Sequence, residues 1–374
     1  MNIITQNLKS LFSKIENKEV AIKSLPAYAK ASLIMVGLYL FFYTLFVLQD
    51  ILIPLSFGFL LAILLNPLNN KLMGFKIHKM ISISISLIIA ILILAGILLL
   101  INMQILQFVD MSDQIYERFI NLANKVQNWI FDTFGVEKKT QNDKLLKMLD
   151  AGSTYIASAI NHSVSFFLNI FLVFFYTFMV LYYKPLLLNF IYEIFDDKHE
   201  FKIKMILGNA KLCTQKYIVG LLYEMIIIAI LTTTTYLIVG LKFALTIGII
   251  GAIINMIPYI GGIIGILLPL FVYFLTGKGD VQTPVIISIS YLVIQFIDNY
   301  FIVPRIVASK VSINSLFSVI IVLLGNSLWG VSGMFLSLIF IGILKIVFEN
   351  FEPLNALGKI MGEEVEPNEE IVSD

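Results

Sequence analysis

The chain has 374 residues, of which 59% are hydrophobic and only 14% are charged, and its mean hydropathy is +0.91. Soluble domains carry about 25% charged residues, so the composition excludes an ordinary soluble protein and predicts an all-α polytopic integral membrane protein. The net charge of +1 argues against a nucleic-acid partner, and the single cysteine excludes a disulfide framework within one chain. The three histidines lie far apart without metal-ligand spacing, so we predict neither a metal nor a cofactor.

Apolar runs long enough to cross a bilayer follow a polar N-terminal segment. A span needs about 20 apolar residues, and six such runs are predicted, at 31–49, 51–67, 80–102, 157–183, 217–240 and 282–304. The absence of a small-residue cleavage pattern after the first run favours an uncleaved span over a signal peptide. Two further apolar regions, 243–276 and 313–348, are too long for one ordinary crossing. Each is interrupted in its middle, by IPYIGG and by GNSLWGVSG, so we expect two re-entrant or broken helical hairpins.

The runs divide the chain into five regions. We expect a cytoplasmic N-terminal segment with the first three spans, an extracytoplasmic amphipathic helical arm, a fourth span with cytoplasmic interfacial helices, a transport core of two span-plus-hairpin units, and a cytoplasmic acidic tail. Their bounds are 1–102, 103–156, 157–216, 217–348 and 349–374. Lysines and arginines concentrate at one set of helix ends, which by the positive-inside rule predicts cytoplasmic N- and C-termini.

This topology gives the two units of the C-terminal half opposite orientations. The span 217–240 would run outward and be followed by a broken hairpin, and the span 282–304 would run inward and be followed by the other. Paired interrupted segments in an inverted repeat are the best sequence pointer to a transport site near mid-membrane. Long tilted helices with simple kinks are the alternative interpretation.

Two acidic residues, Glu224 and Asp298, lie within predicted spans. A carboxylate at that depth is costly and therefore suggests a function such as proton coupling, whereas a paired structural charge or an interfacial residue is the plain alternative. Asn255 and Tyr259 flank Pro258 in the first break, where they could satisfy freed backbone or bind solute. Asn326 occupies the matching place in the second break.

NMIPYIGGIIG, QFIDNYFIVPRI and GNSLWGVSGM, in this order, resemble the autoinducer-2 exporter family of bacterial membrane transporters, also called PerM-like permeases. The resemblance covers most of the chain. It places Pro258, Tyr259 and Gly261 on a Pro-Tyr-Gly signature, beside Gly262, where the family often has proline. The remaining positions on family signatures are Glu224, Asn255, Gly265, Asp298, Asn299, Pro304, Gly330 and Gly333.

No HExxH motif, nucleophile elbow or Walker A sequence is present, so we do not expect an enzyme. The resemblance implies a multi-pass protein of the bacterial inner membrane. It implies a secondary transporter, expected to export a small polar solute or an autoinducer-2-like signalling molecule with a proton or sodium gradient. A sodium–proton antiporter and a passive channel lined by the broken helices remain alternatives. The expected partners are the lipid bilayer, a small-molecule or ion substrate, and copies of the same chain in a homo-oligomer, with a pentamer as one candidate.

Overall fold

The computed structural model describes residues 26–110, 112–135, 163–194, 200–277, 280, 282–307 and 313–362. Every regular element in this part of the chain is a helix, and seven of the helices are long and apolar enough to cross a membrane. The prediction of an all-α polytopic membrane protein is therefore confirmed. Residues 136–156 of the predicted extracytoplasmic arm and residues 363–374 of the predicted acidic tail lie outside the described residues.

Each predicted span overlaps a helix, although α5 and α6 extend beyond the predicted bounds. In chain order they are α1 (Ala27–Val47), α2 (Gln49–Gly74), α3 (Lys79–Asp110), α4 (Ser112–Phe134), α5 (Ser163–Ile194), α6 (Glu200–Val239), α7 (Ala244–Asn255), α8 (Ile260–Thr276), α9 (Gln282–Ile297), a π-helix (Asp298–Val307), α10 (Ser315–Asn350), a 3₁₀ turn (Glu352–Leu354) and α11 (Asn355–Ile360). Residues up to Asp50 form one compact unit and residues from Ile51 onward form a second. Within the first unit, α1 buries none of its residues, and its apolar side chains are largely exposed.

The structure differs from the sequence prediction in the segment 185–216. Residues 185–194 continue α5, and residues 200–216 are the first turns of the 40-residue helix α6, so they form no separate interfacial helix. One buried stripe runs through this helix without a gap: Ile203, Ile206, Ala210, Thr214, Ile218, Leu221, Glu224 and Ile228. Spacings of three and four residues keep these side chains on one face. Because this buried face is continuous, α6 remains one helix across the boundary that we expected at residue 217.

The helices α6 and α9 of the C-terminal half run antiparallel. Near one end, Tyr236 of α6 shares a buried cluster with Ile287 of α9. Further along, Ile228 of α6 shares a cluster with Ile294 of α9 and Ile302 of the π-helix. Since residue numbers rise along one helix as they fall along the other, the two units point in opposite directions, as the inverted repeat requires.

The first broken region is a hairpin of two short helices. Ala244 and Ile247 at the start of α7 cluster with Val272 and Tyr273 near the end of α8, so the two helices lie side by side and antiparallel. The turn between them passes through Tyr259, which has a φ of 66°. The prediction that IPYIGG interrupts the region is confirmed.

The second broken region, α10, reverses at Trp329 and Gly330, whose φ and ψ angles are not helical. In a straight helix, Gly325 and Gly333 would lie about 12 Å apart. Here the backbone of each of these two glycines occupies the position at which a Cβ atom on the other would lie. Residues 315–328 and 331–350 are therefore the two arms of a second hairpin, and only glycine permits the arms to approach this closely.

The second hairpin packs at the opposite end of α6 from the first. Leu336 and Ile339 of its second arm cluster with Ile218 of α6 and Leu60 of α2. The first hairpin instead clusters with Tyr236 near the other end of α6. The hairpins thus approach the middle of this unit from opposite ends.

Gly330 has a φ of +57° and a ψ of −141°, and an added Cβ there would meet nothing within 4 Å. We expect Gly330→Ala to destabilise the protein by about 1–3 kcal/mol, because a non-glycine residue is strained in this conformation. Thermal unfolding in detergent measures the loss as a lower Tm. Gly96→Ala is the matched control, since Gly96 is helical with equally open surroundings. Equal Tm values for the two variants would contradict the turn at Gly330.

Candidate functional site

A cavity of about 230 Å³ lies where α6, the break of the first hairpin and the start of the π-helix meet. The carboxylates of Glu224 and Asp298 line it, although their residues are only 4% and 1% exposed. The other lining residues are Tyr217, Leu221, Asn255, Met256, Ile257, Pro258, Tyr259, Gly262, Gln295, Asn299, Val303 and Leu338. The structure thus brings the two intramembrane acids together at the predicted break in the backbone.

Asn255 connects the two acids. Its amide nitrogen Nδ2 donates to Asp298 Oδ2 at 2.9 Å and to Glu224 Oε1 at 3.2 Å. Nitrogen is the amide atom that can donate to both carboxyl groups, so the acids fix which way the amide faces. Asn255 is the last residue of α7. The end of this short helix therefore sets the position of the bridge.

The acids have no basic counterpart in the part of the chain that the structure describes, where neither Glu224 nor Asp298 forms a salt bridge. Asp298 Oδ1 is also buried there without a hydrogen-bond partner. Burying an ionised carboxylate without a paired charge is strongly unfavourable, and two neighbouring carboxylates repel each other. The arrangement is therefore suited to take up a positive charge, either a proton or a small cation.

The broken backbone also supplies polar groups. α7 ends and α8 begins at the cavity, at Asn255 and Ile260. The end of a helix carries partial negative charge on its carbonyl groups, and the start carries partial positive charge on its N–H groups. The break thus places one helix end of each kind beside the cavity, and within the turn the N–H groups of Ile260 and Gly261 donate to the carbonyl oxygens of Pro258 and Ile257.

The side chain of Tyr291 in α9 packs against the start of α8. Its hydroxyl donates to the carbonyl oxygens of Gly262 at 3.1 Å and Gly261 at 3.3 Å. A Cβ atom on Gly265 would collide with the Tyr291 hydroxyl, and one on Gly261 would lie 2.5 Å from Asn255 Cα. These two glycines therefore permit close packing around the bridge. No feature of the sequence pointed to the role of Tyr291.

The π-helix begins at Asp298 and contains Pro304. Proline cannot donate to the carbonyl group four residues earlier, and its ring crowds that group in an α-helix. A wider helical turn relieves the crowding, and π-type segments occur frequently at functional sites. Pro304 therefore affects the geometry of the segment that starts at Asp298, although it does not line the cavity. The sequence pointed to the proline but not to the π-helix.

The predicted site residues thus separate into two groups. Seven line the cavity: Glu224, Asn255, Pro258, Tyr259, Gly262, Asp298 and Asn299. Gly261 and Pro304 lie behind it in the supporting backbone. Asn326 and Gly330 are at the exposed tip of the second hairpin, away from the cavity, which differs from the expectation that both breaks form one site. The second hairpin contributes Leu338 instead, about 12 Å along its second arm from Gly330.

Replacing Asn255 with alanine removes the donor that both acids share. We expect Asn255→Ala to lower stability by about 2–4 kcal/mol, because buried acceptors left without a partner cost about 1–3 kcal/mol each. Asn299→Ala, an equal truncation of an exposed side chain in the same cavity, should change stability by less than about 0.5 kcal/mol. Thermal unfolding of both variants in the same detergent measures the difference. Similar Tm values for the two would show that the bridge contributes little.

The AI-2E family transporter model matches residues 32–352, which cover most of the chain and include the whole cavity. "Putative transport protein YrrI" of Bacillus subtilis (strain 168) is 26% identical over 135 residues, 36% of this chain and 37% of its own. "Putative transport protein YueF" of the same strain is 28% identical over 115 residues, 31% of this chain and 30% of its own. The matched part thus spans about a third of each of these curated relatives.

Proposed function

Because the chain belongs to the AI-2E transporter family, we propose that this membrane transporter is a secondary exporter driven by a proton or sodium gradient. The bridge between Glu224, Asn255 and Asp298 carries the proposal. Two buried acids that share one amide donor form a site whose charge changes by one when a proton or Na⁺ enters or leaves. Such a change can be coupled to the movement of a solute.

The cavity favours a small polar cargo. Ligand pockets for drug-sized molecules measure about 300–1,000 Å³, and this cavity is smaller, at about 230 Å³. Its walls present two carboxyl groups, two side-chain amides besides Asn255, and the backbone of a broken helix. A small hydroxylated signalling molecule similar to autoinducer-2 matches this size and polarity, and we propose it as the cargo.

Coupling would work through alternate access to the bridge. With a cation or proton bound, the two acids tolerate burial, and the hairpin tip can remain packed against α6 and the π-helix. After its release, repulsion between the carboxylates favours hydration of the site and movement of the tip. Tyr259, which has a positive φ and is exposed at the break, is well placed to change conformation in this step.

A sodium–proton antiporter is the second candidate. Oxygen ligands are the ones that hard cations such as Na⁺ prefer, and the bridge provides two carboxylates at a site that also takes protons. In this version the cavity holds the two ions in turn and carries no organic solute. A passive channel is less compatible with two buried, uncompensated acids, because a permeating cation would be held by them.

We further propose that the protein resides in the bacterial inner membrane with cytoplasmic termini and assembles as a homo-oligomer. The Lys79 ammonium group at the start of α3 donates to the carbonyl oxygen of Tyr182 in α5, and Lys184 of α5 donates to Asn66 of α2. The basic groups of α3 and α5 therefore lie together beside α2. One basic end of the unit is what the positive-inside rule requires of a cytoplasmic face. Mass photometry of the protein in nanodiscs would measure the number of subunits.

The coupling role is tested with the conservative pair Asp298→Asn and Glu224→Gln in proteoliposomes. We expect each variant to lose at least about 90% of gradient-driven flux, because each amide keeps the shape of the acid but cannot gain and lose a proton. The flux screen measures the transport of an autoinducer-2-like sugar, of Na⁺ and of protons by each variant and by the wild-type protein. Glu352→Gln is the control and should leave flux unchanged, since it neutralises an exposed acid that does not line the cavity.

Each outcome of the screen separates the candidates. Sugar flux that requires a proton or sodium gradient supports the exporter, and exchange of Na⁺ for protons without sugar flux supports the antiporter. Single-channel steps in planar bilayers without gradient coupling would favour the channel. Gradient-driven flux that is unchanged in Asp298→Asn and in Glu224→Gln would overturn the coupling role of the bridge.

A further inference from the structure

A second cavity, of about 440 Å³, lies between α2, α5 and the first half of α6 and shares no lining residue with the first. Most of its wall is apolar, including Phe59, Ile63, Val180, Leu187 and Leu207. Nothing in the proposed transport cycle uses this space. Its chemistry differs from that of the carboxylate cavity, because the charged groups here are all basic.

Three lysines line this second cavity: Lys184, Lys204 and Lys211. The Lys184 ammonium group donates to Asn66 Oδ1 at 2.9 Å, and the charges of Lys211 and Lys79 are close enough to repel it. Among the described residues, Lys204 has an acidic partner in Glu200, whereas neither Lys184 nor Lys211 forms a salt bridge. Grouped like charges are unfavourable by themselves, and a bound anion would offset the repulsion.

By sequence, Lys184 and Lys211 fall at the ends of apolar stretches, the level at which lipid headgroups are expected. Lys184 directly follows the apolar stretch 166–183 of α5, and Lys211 precedes the apolar stretch of α6 that begins at Tyr217. Asn66 likewise ends the apolar stretch of α2. Phe59 lies two turns, or about 10 Å, deeper on that helix. The cavity therefore has a basic group at the membrane surface and an apolar wall that continues toward the bilayer interior.

We propose that this cavity binds an anionic phospholipid, with its phosphate between Lys184 and Lys211 and an acyl chain along Phe59, Ile63 and Val180. Basic pockets between membrane helices recognise anionic headgroups by charge. The apolar wall distinguishes a lipid from an acidic peptide, because the acidic residues of 363–374 match the lysines but offer little apolar length. The lipid would hold the ends of α2, α5 and α6 together.

Native mass spectrometry of the full-length protein in neutral detergent tests the charge requirement. The probe is palmitoyl-oleoyl phosphatidylglycerol, and palmitoyl-oleoyl phosphatidylcholine is the matched neutral lipid. We expect the double change Lys184→Gln and Lys211→Gln to weaken phosphatidylglycerol binding by about 30-fold, given the usual attraction per lysine. The control double change, Lys71→Gln and Lys202→Gln, removes two lysines that do not line the cavity and should weaken binding less than about 3-fold.

A substitution at Gly208 tests whether binding needs the open volume of this cavity, independently of charge. This glycine lines the cavity, and an added Cβ there would meet nothing within 4 Å. Gly208→Leu should therefore occupy part of the cavity, raise the helix propensity of α6, and weaken phosphatidylglycerol binding by about 10-fold through displaced acyl contacts. Gly96→Leu, at an open helical position outside the cavity, should leave binding unchanged. Thermal unfolding without added lipid verifies that both variants fold.

Several results would overturn the proposal. One is equal binding of the two lipids, and another is equal loss in the cavity and control lysine variants, which would indicate general surface attraction. Displacement of the lipid by millimolar inorganic phosphate alone would indicate a simple anion site. A rise of about 10-fold or more in lipid binding after removal of residues 363–374 would assign the cavity to that acidic segment.

Discussion

The organisation of this protein depends on one amide group that donates to two buried acids. Asn255 donates to both Glu224 and Asp298 at the residue where α7 ends, and Asp298 is the residue where the π-helix begins. Three separate elements of the chain, α6, α7 and the π-helix, thus meet at this amide. Because an unsatisfied polar group inside a membrane costs several kcal/mol, the bridge and the broken backbone around it stabilise one another.

The inverted arrangement gives the two hairpins unequal tasks. The first hairpin brings its tip, with both helix ends, to the acids. The second packs Leu336 and Ile339 against α2 and α6 and reaches the cavity only through Leu338. A repeat in the sequence therefore does not require two equivalent binding loops. One hairpin holds the polar site, while the other closes an apolar wall beside it.

The two cavities carry opposite charges and lie in different parts of the molecule. The acidic cavity lies between the two span-plus-hairpin units. The basic cavity lies where α2, α5 and α6 meet, near the ends of their apolar stretches. Since α6 lines both cavities, one continuous helix connects the proposed lipid site with the proposed transport site.

The sequence by itself determined the class, the spans and the two breaks, because apolar length and interruptions by proline or glycine are local properties. It also identified Glu224, Asn255 and Asp298 as unusual, since polar residues are conspicuous in apolar runs. Only the tertiary structure decided that these three meet, that Asn326 and Gly330 lie elsewhere, and that α6 continues through residues 200–216. Those outcomes depend on which faces pack together, and no stretch of sequence states the distance between residues far apart along the chain.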